Sequence, residues 1–353
     1  MRPADSQAPQ ADTPLVSVVV VCVTGVDLTR QCLARLFSQT YPALEVIVVD
    51  NGAPEALREM VRREFPGARL IRLGGNTGFA GGHNAGIRAA RGTYVAIINN
   101  DALAAPRWVQ AMVEVAERSP DIGSVASVII DGNRPDRLDS CGVGIALDGM
   151  SRQAMRGGPI PALGQPRAVL MPSGCACLFR REALDAVGLF DESFFAYCED
   201  TDLGMRLRWA GYTCFAAPGA VVLHYYSMTA GKFSRDKIFW VERNHFWVAV
   251  KNFPIPLLFV VPFATLWRYA LQAYAVLTRT GDLHEFAEQA SFASVMTAVV
   301  RAQGSALAGL FPMVRKRLSF SPRRKLTSVQ MMKTIAAYRI SLGEIILGSR
   351  NAR

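Results

Sequence analysis

Apolar and polar positions along the first third of the chain are arranged in blocks that predict strands and helices in turn. Continuous apolar runs such as VSVVVVC are typical of parallel strands buried on both faces. Between the runs, Leu28, Cys32 and Leu36 recur at helical spacing. The predicted strands are Val16–Val23, Leu44–Asn51, Arg69–Leu73 and Tyr94–Ile98, and the predicted helices are Asp27–Gln39, Ala53–Phe65 and a segment after Pro106. This order predicts an α/β fold with a Rossmann-like, mostly parallel central sheet flanked by helices.

Polar residues stand where the predicted strands end. Asp50 and Asn51 close the second strand, Asn76 follows the third, and Asn99–Asp101 follows the fourth. Ligands of parallel sheets bind beyond the carboxyl ends of the strands, so these side chains are predicted to converge on one site. The simpler alternative is that Asp-Asn-Gly and Asn-Asn-Asp are ordinary turn sequences.

A glycine-rich loop, GGNTGFAGGHNAG, leads into a helix predicted near Asn84–Ala90. Glycines let a backbone approach a phosphate or a sugar closely, although such loops also occur without a ligand. This loop lacks the lysine of a P-loop and does not follow the first strand. Both facts argue against an ATP-type or redox-dinucleotide site.

The middle of the chain carries a second group of polar residues. Periodicity weakens from Asp131 to Pro172, which predicts loops over the site. Glu199–Trp209 is predicted to be a helix that begins with acids, and Val221–Leu223 a short strand that ends at His224. Acids at a helix start are often only caps, but a closely packed pair can make a general base. A lone histidine is commonly structural, yet it could ligate Mn²⁺ or Mg²⁺.

Two acidic motifs could hold a divalent metal, because hard cations prefer oxygen ligands. One is Asp101 at the end of the fourth strand, and the other is the pair Asp200 and Asp202. Asp101 is preferred because it lies at the predicted ligand crevice. Helix capping ahead of Pro106 is the alternative role for Asp101.

The C-terminal region, residues 253–353, is apolar and then basic. Ile255–Leu277 contains one charge, Arg268, and Pro262 interrupts it. Its length permits a membrane span, an interfacial helix or a buried helix. The basic run RKRLSFSPRRK, in a chain of net charge +10, favours an anionic membrane surface over nucleic acid, for which no motif is present. We therefore expect a helical, membrane-associated region.

Composition narrows the class of protein further. The 353 residues suffice for one large or two ordinary domains. Residues 1–14 have no apolar signal segment and are predicted to be a disordered lead before a domain at 15–252. Seven scattered cysteines predict a reduced, intracellular protein, and Cys175-x-Cys177 lacks the spacing of a zinc knuckle.

Several motifs follow one another in a characteristic order: VSVVVV, LEVIVVDNGA, NTGFAGGHNAGIRAA, AIINNDA, GCACLFRREALDAVGLFDESFFAYCEDTDLGMRLRWAGY and VVLHYYS. In this order they resemble family 2 of the inverting nucleotide-sugar glycosyltransferases, whose fold is called GT-A. Within that family the rhamnosyltransferase-like branch of bacterial polysaccharide assembly is the most similar. The resemblance runs from Val16 to Asn252.

The resemblance implies a role for each matching position. Asp200 would be the general base with Glu199 beside it, and Asp101 and His224 would hold Mg²⁺ or Mn²⁺. Asp50, at the end of the second strand, would bind the base of the nucleotide-sugar. The full set of positions implied to bind the nucleotide-sugar is Thr24, Asp50, Asn51, Asn76, Gly78, Phe79, Gly81, Asn84, Asn99 and Asn100. The positions implied on the acceptor side are Gly174, Cys175 and Trp209.

The resemblance also implies a reaction and a place for it. A sugar, rhamnose by branch resemblance, would pass with inversion from a dTDP-, UDP- or GDP-linked donor to a hydroxyl of a glycan or polyprenyl-linked glycan. The enzyme would be cytoplasmic and peripheral at the inner face of the membrane. Two rival functions stay open: a sugar nucleotidyltransferase, which would release pyrophosphate, and a non-catalytic glycan-binding scaffold with the same fold.

Overall fold

The computed structural model describes residues 13–160, 164–225, 235–278 and 292–347, so most of the predicted lead 1–14 lies outside the described residues. The strands are β1 Val16–Cys22, β2 Leu44–Asp50, β3 Arg69–Arg72, β4 Tyr94–Asn99, β5 Ala102–Ala104, β6 Ile122–Asp131, β7 Leu138–Cys141, β8 Val143–Ile145, β9 Ser151–Gln153, β10 Arg167–Val169, β11 Ala176–Arg180 and β12 Thr213–His224. The helices are α1 Val26–Phe37, α2 Glu55–Glu64, α3 Gly78–Ala89, α4 Trp108–Ala116, α5 Arg181–Val187, α6 Glu199–Trp209, α7 Arg235–Asn252, α8 Ile255–Leu258, α9 Val261–Leu277, α10 Phe292–Ala308, α11 Leu310–Phe320, α12 Ser328–Ala337 and α13 Leu342–Leu347.

The first half of the chain forms a parallel sheet in the order β3-β2-β1-β4. Val16 at the start of β1 lies opposite Leu44 of β2 and Tyr94 of β4, and the register continues to the strand ends. Nearly every residue of β1 is buried, as expected of a strand with helices on both faces. The prediction of an α/β fold with a Rossmann-like core is confirmed.

Strand β11 joins the two halves of the sheet, because it runs antiparallel between β4 and β6. Beyond it, β12 lies parallel to β6, with β10 and β5 antiparallel to β12 and β7 antiparallel to β6. The region predicted as loops, Asp131 to Pro172, therefore contains β7 to β10. These strands have only three or four residues each, too few to produce a readable hydrophobic period.

Helices pack on both faces of the sheet around two apolar cores. Leu33, Leu57 and Trp108 represent the layer formed by α1, α2 and α4. Phe179 and Leu203 belong to the opposite core, which receives α3, α5, α6 and α7. The carboxyl ends of the parallel strands remain open between these layers. All seven cysteines are buried free thiols.

Helix α3 begins at Gly78, well before the predicted start at Asn84. Its glycines lower intrinsic helix propensity, which concealed this start in the sequence. They are needed for packing, because a Cβ on Gly82 would lie 2.6 Å from Cγ1 of Val21, and one on Gly86 would lie 2.3 Å from Cγ1 of Val19. The close approach of α3 to β1 thus overrides local propensity.

The apolar segment Ile255–Leu277 forms two helices, α8 and α9, and Pro262 lies in the first turn of α9, where proline is tolerated. Among the described residues, no helix combines the length and apolar character needed to cross a bilayer.

The single charge of this segment, Arg268, is fully buried in an ion cluster. Its Nη1 and Nη2 donate to the two carboxylate oxygens of Glu242 on α7, at 2.7 and 2.9 Å. Its Nε donates to Oδ2 of Asp148, after β8, at 2.7 Å. Arg268 therefore ties α9 to the body of the protein.

Candidate active site

A cavity of about 490 Å³ opens where β1, β2 and β4 end and α6 begins. Residues from both halves of the sheet line it, and those also singled out from the sequence are Asn51, Asn76, Gly78, Phe79, Asn99, Asn100, Asp101, Gly174, Cys175, Glu199, Asp200 and His224. The fold therefore brings the strand-end polar residues and the acids of α6 to one place.

Asn51 at the end of β2 fixes the loop that begins α3. Its Oδ1 accepts hydrogen bonds from the backbone N–H and the hydroxyl of Thr77, at 2.8 and 3.0 Å. Its Nδ2 donates to the carbonyl of Gly78 at 3.0 Å. Gly78 has a φ of +76°, and a Cβ there would lie 2.3 Å from the carbonyl oxygen of Phe195. The glycine loop is thus held against the segment that carries the α6 acids.

Asp50, predicted to meet the nucleotide base, is 1% exposed and does not line the cavity. Its Oδ1 accepts from the backbone N–H of Ala53 at 2.7 Å, and its Oδ2 from Nη1 of Arg58 at 2.9 Å. The carboxylate therefore shapes the turn after β2. A base-binding role remains a prediction.

Four other residues implied to contact substrate also lie outside the cavity lining: Thr24, Gly81, Asn84 and Trp209. Asn84 is buried and donates to the carbonyl of Phe190 at 2.9 Å, because the early start of α3 turns this side chain toward the interior. Trp209 ends α6, at the opposite end from the acids, and its Nε1 donates to the carbonyl of Asn252 at 2.7 Å. The structure buries both side chains in internal contacts, and the substrate contacts implied for them remain predictions.

The amides of Asn99 and Asn100 differ in their surroundings. Asn99 ends β4 and lines the cavity with a partly exposed side chain. Asn100 Nδ2 donates to the carbonyl of Thr24 at 2.7 Å and to the hydroxyl of Thr29 at 2.9 Å. Asn100 therefore anchors the end of β4, and Thr24 takes part in this anchor through its backbone carbonyl.

Asp101 and His224 meet at the base of the cavity, where Oδ1 of Asp101 lies 3.4 Å from Nε2 of His224. Nδ1 of His224 lies 3.0 Å from Oδ2 of Asp139, a buried residue of β7 that the sequence did not single out. An ionised carboxylate only accepts, so Asp139 favours the tautomer in which Nδ1 carries hydrogen and Nε2 faces the cavity. Burial alone would lower the pKa of His224, but contacts with Cys175, Asp101 and Asp139 outweigh it and raise that pKa. Coordination of a cation through Nε2 would therefore require the loss of the Nε2 proton.

The donor set at this corner fits a hard divalent cation. Oδ1 of Asp101 lies 3.4 Å from Nε2 of His224, and Oδ1 of Asp139 lies 3.6 Å from Nε of Arg156. Among the described residues, neither buried oxygen accepts a hydrogen bond of good geometry. Within the described ranges, no three histidine, cysteine or acidic side chains are grouped so that they could together hold a metal. Asp101 and His224 could therefore supply only part of a coordination shell, which agrees with the preference of Mg²⁺ for few protein ligands plus substrate phosphates.

Glu199 and Asp200 begin α6 at the other side of the cavity. Oδ2 of Asp200 accepts from the backbone N–H of Gly174 at 3.0 Å, and its Oδ1 from that of Thr201 at 2.6 Å. Burial raises the pKa of the Asp200 carboxyl, and these N–H donors limit the rise. Burial and the charge of Asp200 raise the pKa of Glu199 much further, and Oε2 of Glu199 has no hydrogen-bond partner in the part of the chain that the structure describes. Asp200 is thus the member of the pair suited to accept a proton.

The segment before these acids has an unusual backbone. Phe195, Tyr197 and Cys198 have φ values of 64°, 67° and 67°. Left-handed conformations of non-glycine residues cost on the order of 1 kcal/mol each and cluster at functional sites. Asn244 of α7 supports the segment, because its buried Nδ2 donates to the carbonyls of Ala196 and Tyr197 at 2.9 and 2.7 Å. The strain positions an aromatic group at the cavity.

Phe195 and Tyr197 form this aromatic group with Trp240 of α7, and all three line the cavity. The Trp240 ring centroid lies 5.0 Å from that of Phe195 and 6.4 Å from that of Tyr197. Sequence reasoning missed the group, although the aromatics of FFAYCED directly before the acids were a usable signal. Trp240 comes from a distant helix and had no local signal.

Comparison with known proteins places these features in a family. Residues 17–188 match the family described as Glycosyl transferase family 2. The chain is 28% identical over 254 residues to an N-acetylglucosaminyl-diphospho-decaprenol L-rhamnosyltransferase of Mycobacterium tuberculosis, covering 62% of this chain and 79% of the relative. It is 31% identical over 237 residues to the uncharacterized protein y4gI of Sinorhizobium fredii, and this match covers 63% of the chain but only 26% of that protein.

A solved structure agrees with the fold. The mannosyltransferase PcManGT of Pyrobaculum calidifontis, in complex with GDP-Man and Mn²⁺, superposes with a TM-score of 0.54 at 21% identity, covering 94% of this chain and 90% of that one. At this identity the likeness shows the GT-A fold. With its ordered motifs, its GT-A fold and the family match, the segment of residues 17–188 belongs to glycosyl transferase family 2.

Proposed function

We propose that the protein transfers a sugar, with inversion, from a nucleoside-diphosphate donor to a hydroxyl of a glycan or lipid-linked glycan. The observation that carries the proposal is the arrangement of one cavity: Asp200, buried and held by two N–H groups, on one side, and the Asp101–His224 pair on the other. A single displacement needs a base for the acceptor and positive charge at the leaving group, and these groups suit the two tasks.

In the proposed mechanism, the two sides of the cavity have different roles. Asp200 accepts the proton of the attacking hydroxyl, while the N–H groups of Gly174 and Thr201 keep its carboxylate oriented. Asn51 holds the glycine loop beside the donor. A divalent cation, Mg²⁺ or Mn²⁺, held by Asp101 and His224 would neutralise charge developing on the departing diphosphate.

For the donor we propose dTDP-rhamnose first, with UDP- and GDP-linked sugars as alternatives. The name of the mycobacterial relative as an L-rhamnosyltransferase supports rhamnose, and the GDP-Man complex of PcManGT supports a nucleotide-sugar in this fold. For the acceptor we propose a polyprenyl-diphosphate-linked sugar at the cytoplasmic face of the membrane. The mycobacterial relative is named for such an acceptor, and the C-terminal region is apolar and basic.

Product analysis tests the proposal. The full-length protein is incubated with Mn²⁺, each sugar nucleotide and a short-chain analogue of N-acetylglucosaminyl-diphospho-polyprenol. We expect release of a nucleoside diphosphate and, by NMR, a new glycosidic bond of inverted anomeric configuration. Free pyrophosphate would instead indicate a nucleotidyltransferase, and the absence of any transfer or donor hydrolysis across the panel would indicate a non-catalytic scaffold.

On the acceptor side we propose the group formed by Trp240, Phe195 and Tyr197 in place of Trp209. Aromatic faces bind the apolar C–H face of a sugar ring, and this group lines the same cavity as Asp200. Gly174 and Cys175 also line the cavity, and the acceptor-side role that the resemblance implies for them remains a prediction.

Replacing Trp240 by Leu is expected to raise the KM for the acceptor about tenfold, because most of a stacking surface is lost. Trp240→Phe should restore most of the affinity. Steady-state kinetics with the same acceptor analogue measure the change, and donor hydrolysis without acceptor is the control that should stay constant. Equal losses in both reactions would remove Trp240 from the acceptor side.

A further inference from the structure

Helix α9 carries an apolar stripe on its outer face, continuing from the end of α8. Phe259, Phe263, Trp267, Tyr274 and Leu277 recur at helical spacing and are 56–83% exposed. The opposite face of α9 is buried through Val261, Ala264, Thr265, Arg268 and Ala275. An ordinary surface helix of a water-soluble protein has the reverse arrangement, with its apolar stripe facing the core.

Helices α10 and α11 carry a second outward stripe of the same kind. Its exposed members run at spacings of three, four and seven residues across both helices: Met296, Val300, Leu307, Phe311, Val314 and Leu318. Sixteen of the twenty large hydrophobic side chains exposed in the described residues lie between Ile255 and Leu318. Contiguous exposed apolar surface of this extent marks an interaction site.

The inner contacts of these helices hold the stripes outward. Arg268 fixes α9 to α7 through Glu242. The Nε1 of Trp247, also on α7, donates to the carbonyl of Ala306 on α10 at 3.1 Å. Gln303 of α10 donates to the hydroxyl of Tyr269 on α9 at 2.8 Å, so the two helices are neighbours. Rotating either helix to bury its stripe would break these buried contacts.

The charged residues within helices α8 to α11 all have one sign. Helices α8 to α11 contain no aspartate or glutamate. Arg301 and Arg315 on these helices, and Arg323 and Lys325 just after them, are exposed cations. An apolar face combined with exposed cations complements an anionic lipid surface. Its aromatic and aliphatic side chains can enter the boundary between headgroups and acyl chains, while the cations contact the anionic headgroups.

We propose that the outer face of α8 to α11, here called the lipid face, docks on the surface of an anionic phospholipid bilayer without spanning it. The lipid face is defined by the two apolar stripes and the four exposed cations. This inference deepens the proposed membrane location by naming the surface and the lipid chemistry, and it can be tested without measuring transfer.

Vesicle flotation of the full-length protein tests the proposal. We expect binding to vesicles of phosphatidylcholine mixed with phosphatidylglycerol, weaker binding to phosphatidylcholine alone, and further weakening by salt. The double variant F263E/W267E and the single variant F311E are each expected to weaken binding about tenfold or more. V329E is the matched control, because Val329 is a 56% exposed apolar residue of α12 outside both stripes.

Two controls keep the outcome decisive. Thermal unfolding with and without UDP shows whether each variant still folds and binds nucleotide, independently of transfer. Light scattering without lipid shows whether the lipid face instead joins two copies of the chain. Vesicle binding that F263E/W267E and F311E leave unchanged would overturn the proposal, and so would a dimer that these changes dissociate in the absence of lipid binding.

Discussion

An Asp200→Asn variant is expected to lose transfer by about two to four orders of magnitude, the range a general base contributes. The amide cannot accept the proton of the attacking hydroxyl, whereas the donor side of the cavity is untouched. Because burial raises the pKa of Asp200, wild-type activity should fall on acidification as the carboxylate is protonated through that raised pKa. The residual activity of the variant should lack this acidic limb. Initial rates across a pH series measure both effects.

Glu199→Gln is the matched control for Asp200→Asn. Burial and the charge of Asp200 raise the pKa of Glu199 and so favour its neutral carboxyl, which a neutral amide resembles; the change should cost less than tenfold in rate. Asparagine offers one acceptor oxygen to the two N–H donors that Asp200 satisfies, so unfolding midpoints and UDP binding must accompany the rates. A folded, nucleotide-binding Asp200→Asn protein with near-normal turnover would remove Asp200 as the base.

Chelation of divalent ions is expected to abolish transfer, and Mg²⁺ or Mn²⁺ should restore it. Because Asp101 and His224 supply only part of a coordination shell, Mn²⁺ should bind weakly to the protein alone. Bound UDP should tighten it by roughly 5–150-fold, the range of typical coupling between sites. Asp101→Asn should weaken Mn²⁺ binding in the UDP complex. Calorimetric titration of Mn²⁺ with and without UDP measures the coupling.

Asp185→Asn makes the same charge change at an exposed residue of α5, outside the cavity lining, and serves as the control. It should leave both the Mn²⁺ titration and the chelator response unchanged. Tight Mn²⁺ binding without nucleotide, or full activity after exhaustive chelation, would show that Asp101 and His224 do not hold a catalytic metal.

The sequence predicted well those features that depend on neighbouring residues. Buried strands such as β1 are continuous apolar runs, and their ends are marked by polar residues such as Asn51 and Asp101. Helix α6 was predicted at its observed bounds because acids begin it and an apolar pattern follows. Its first turn places Asp200 in the cavity.

Features that depend on distant packing could not be predicted in the same way. Asp139 reaches His224 only because the short strand β7 folds back on β6. Trp240 joins Tyr197 from across the chain, and nothing near it in sequence indicates an aromatic group. Asn84 and Trp209 stand within recognisable motifs, but their hydrogen bonds to Phe190 and Asn252 depend on distant packing that the motifs do not indicate.

The Arg268 cluster also determines where the chain can be truncated without loss of stability. A chain ended at the predicted domain boundary, residue 252, would keep Glu242 and Asp148 but lose the guanidinium that neutralises both. Leaving buried charges unpaired in this way costs about 3–5 kcal/mol, a large part of the stability of an ordinary domain. The helix that carries Glu242 also carries Trp240, so the lipid face and the acceptor side share one rigid support. If the lipid face docks as proposed, α7 sets the height of the cavity above the bilayer, and the length of the acceptor's linker would then select which glycans can be used.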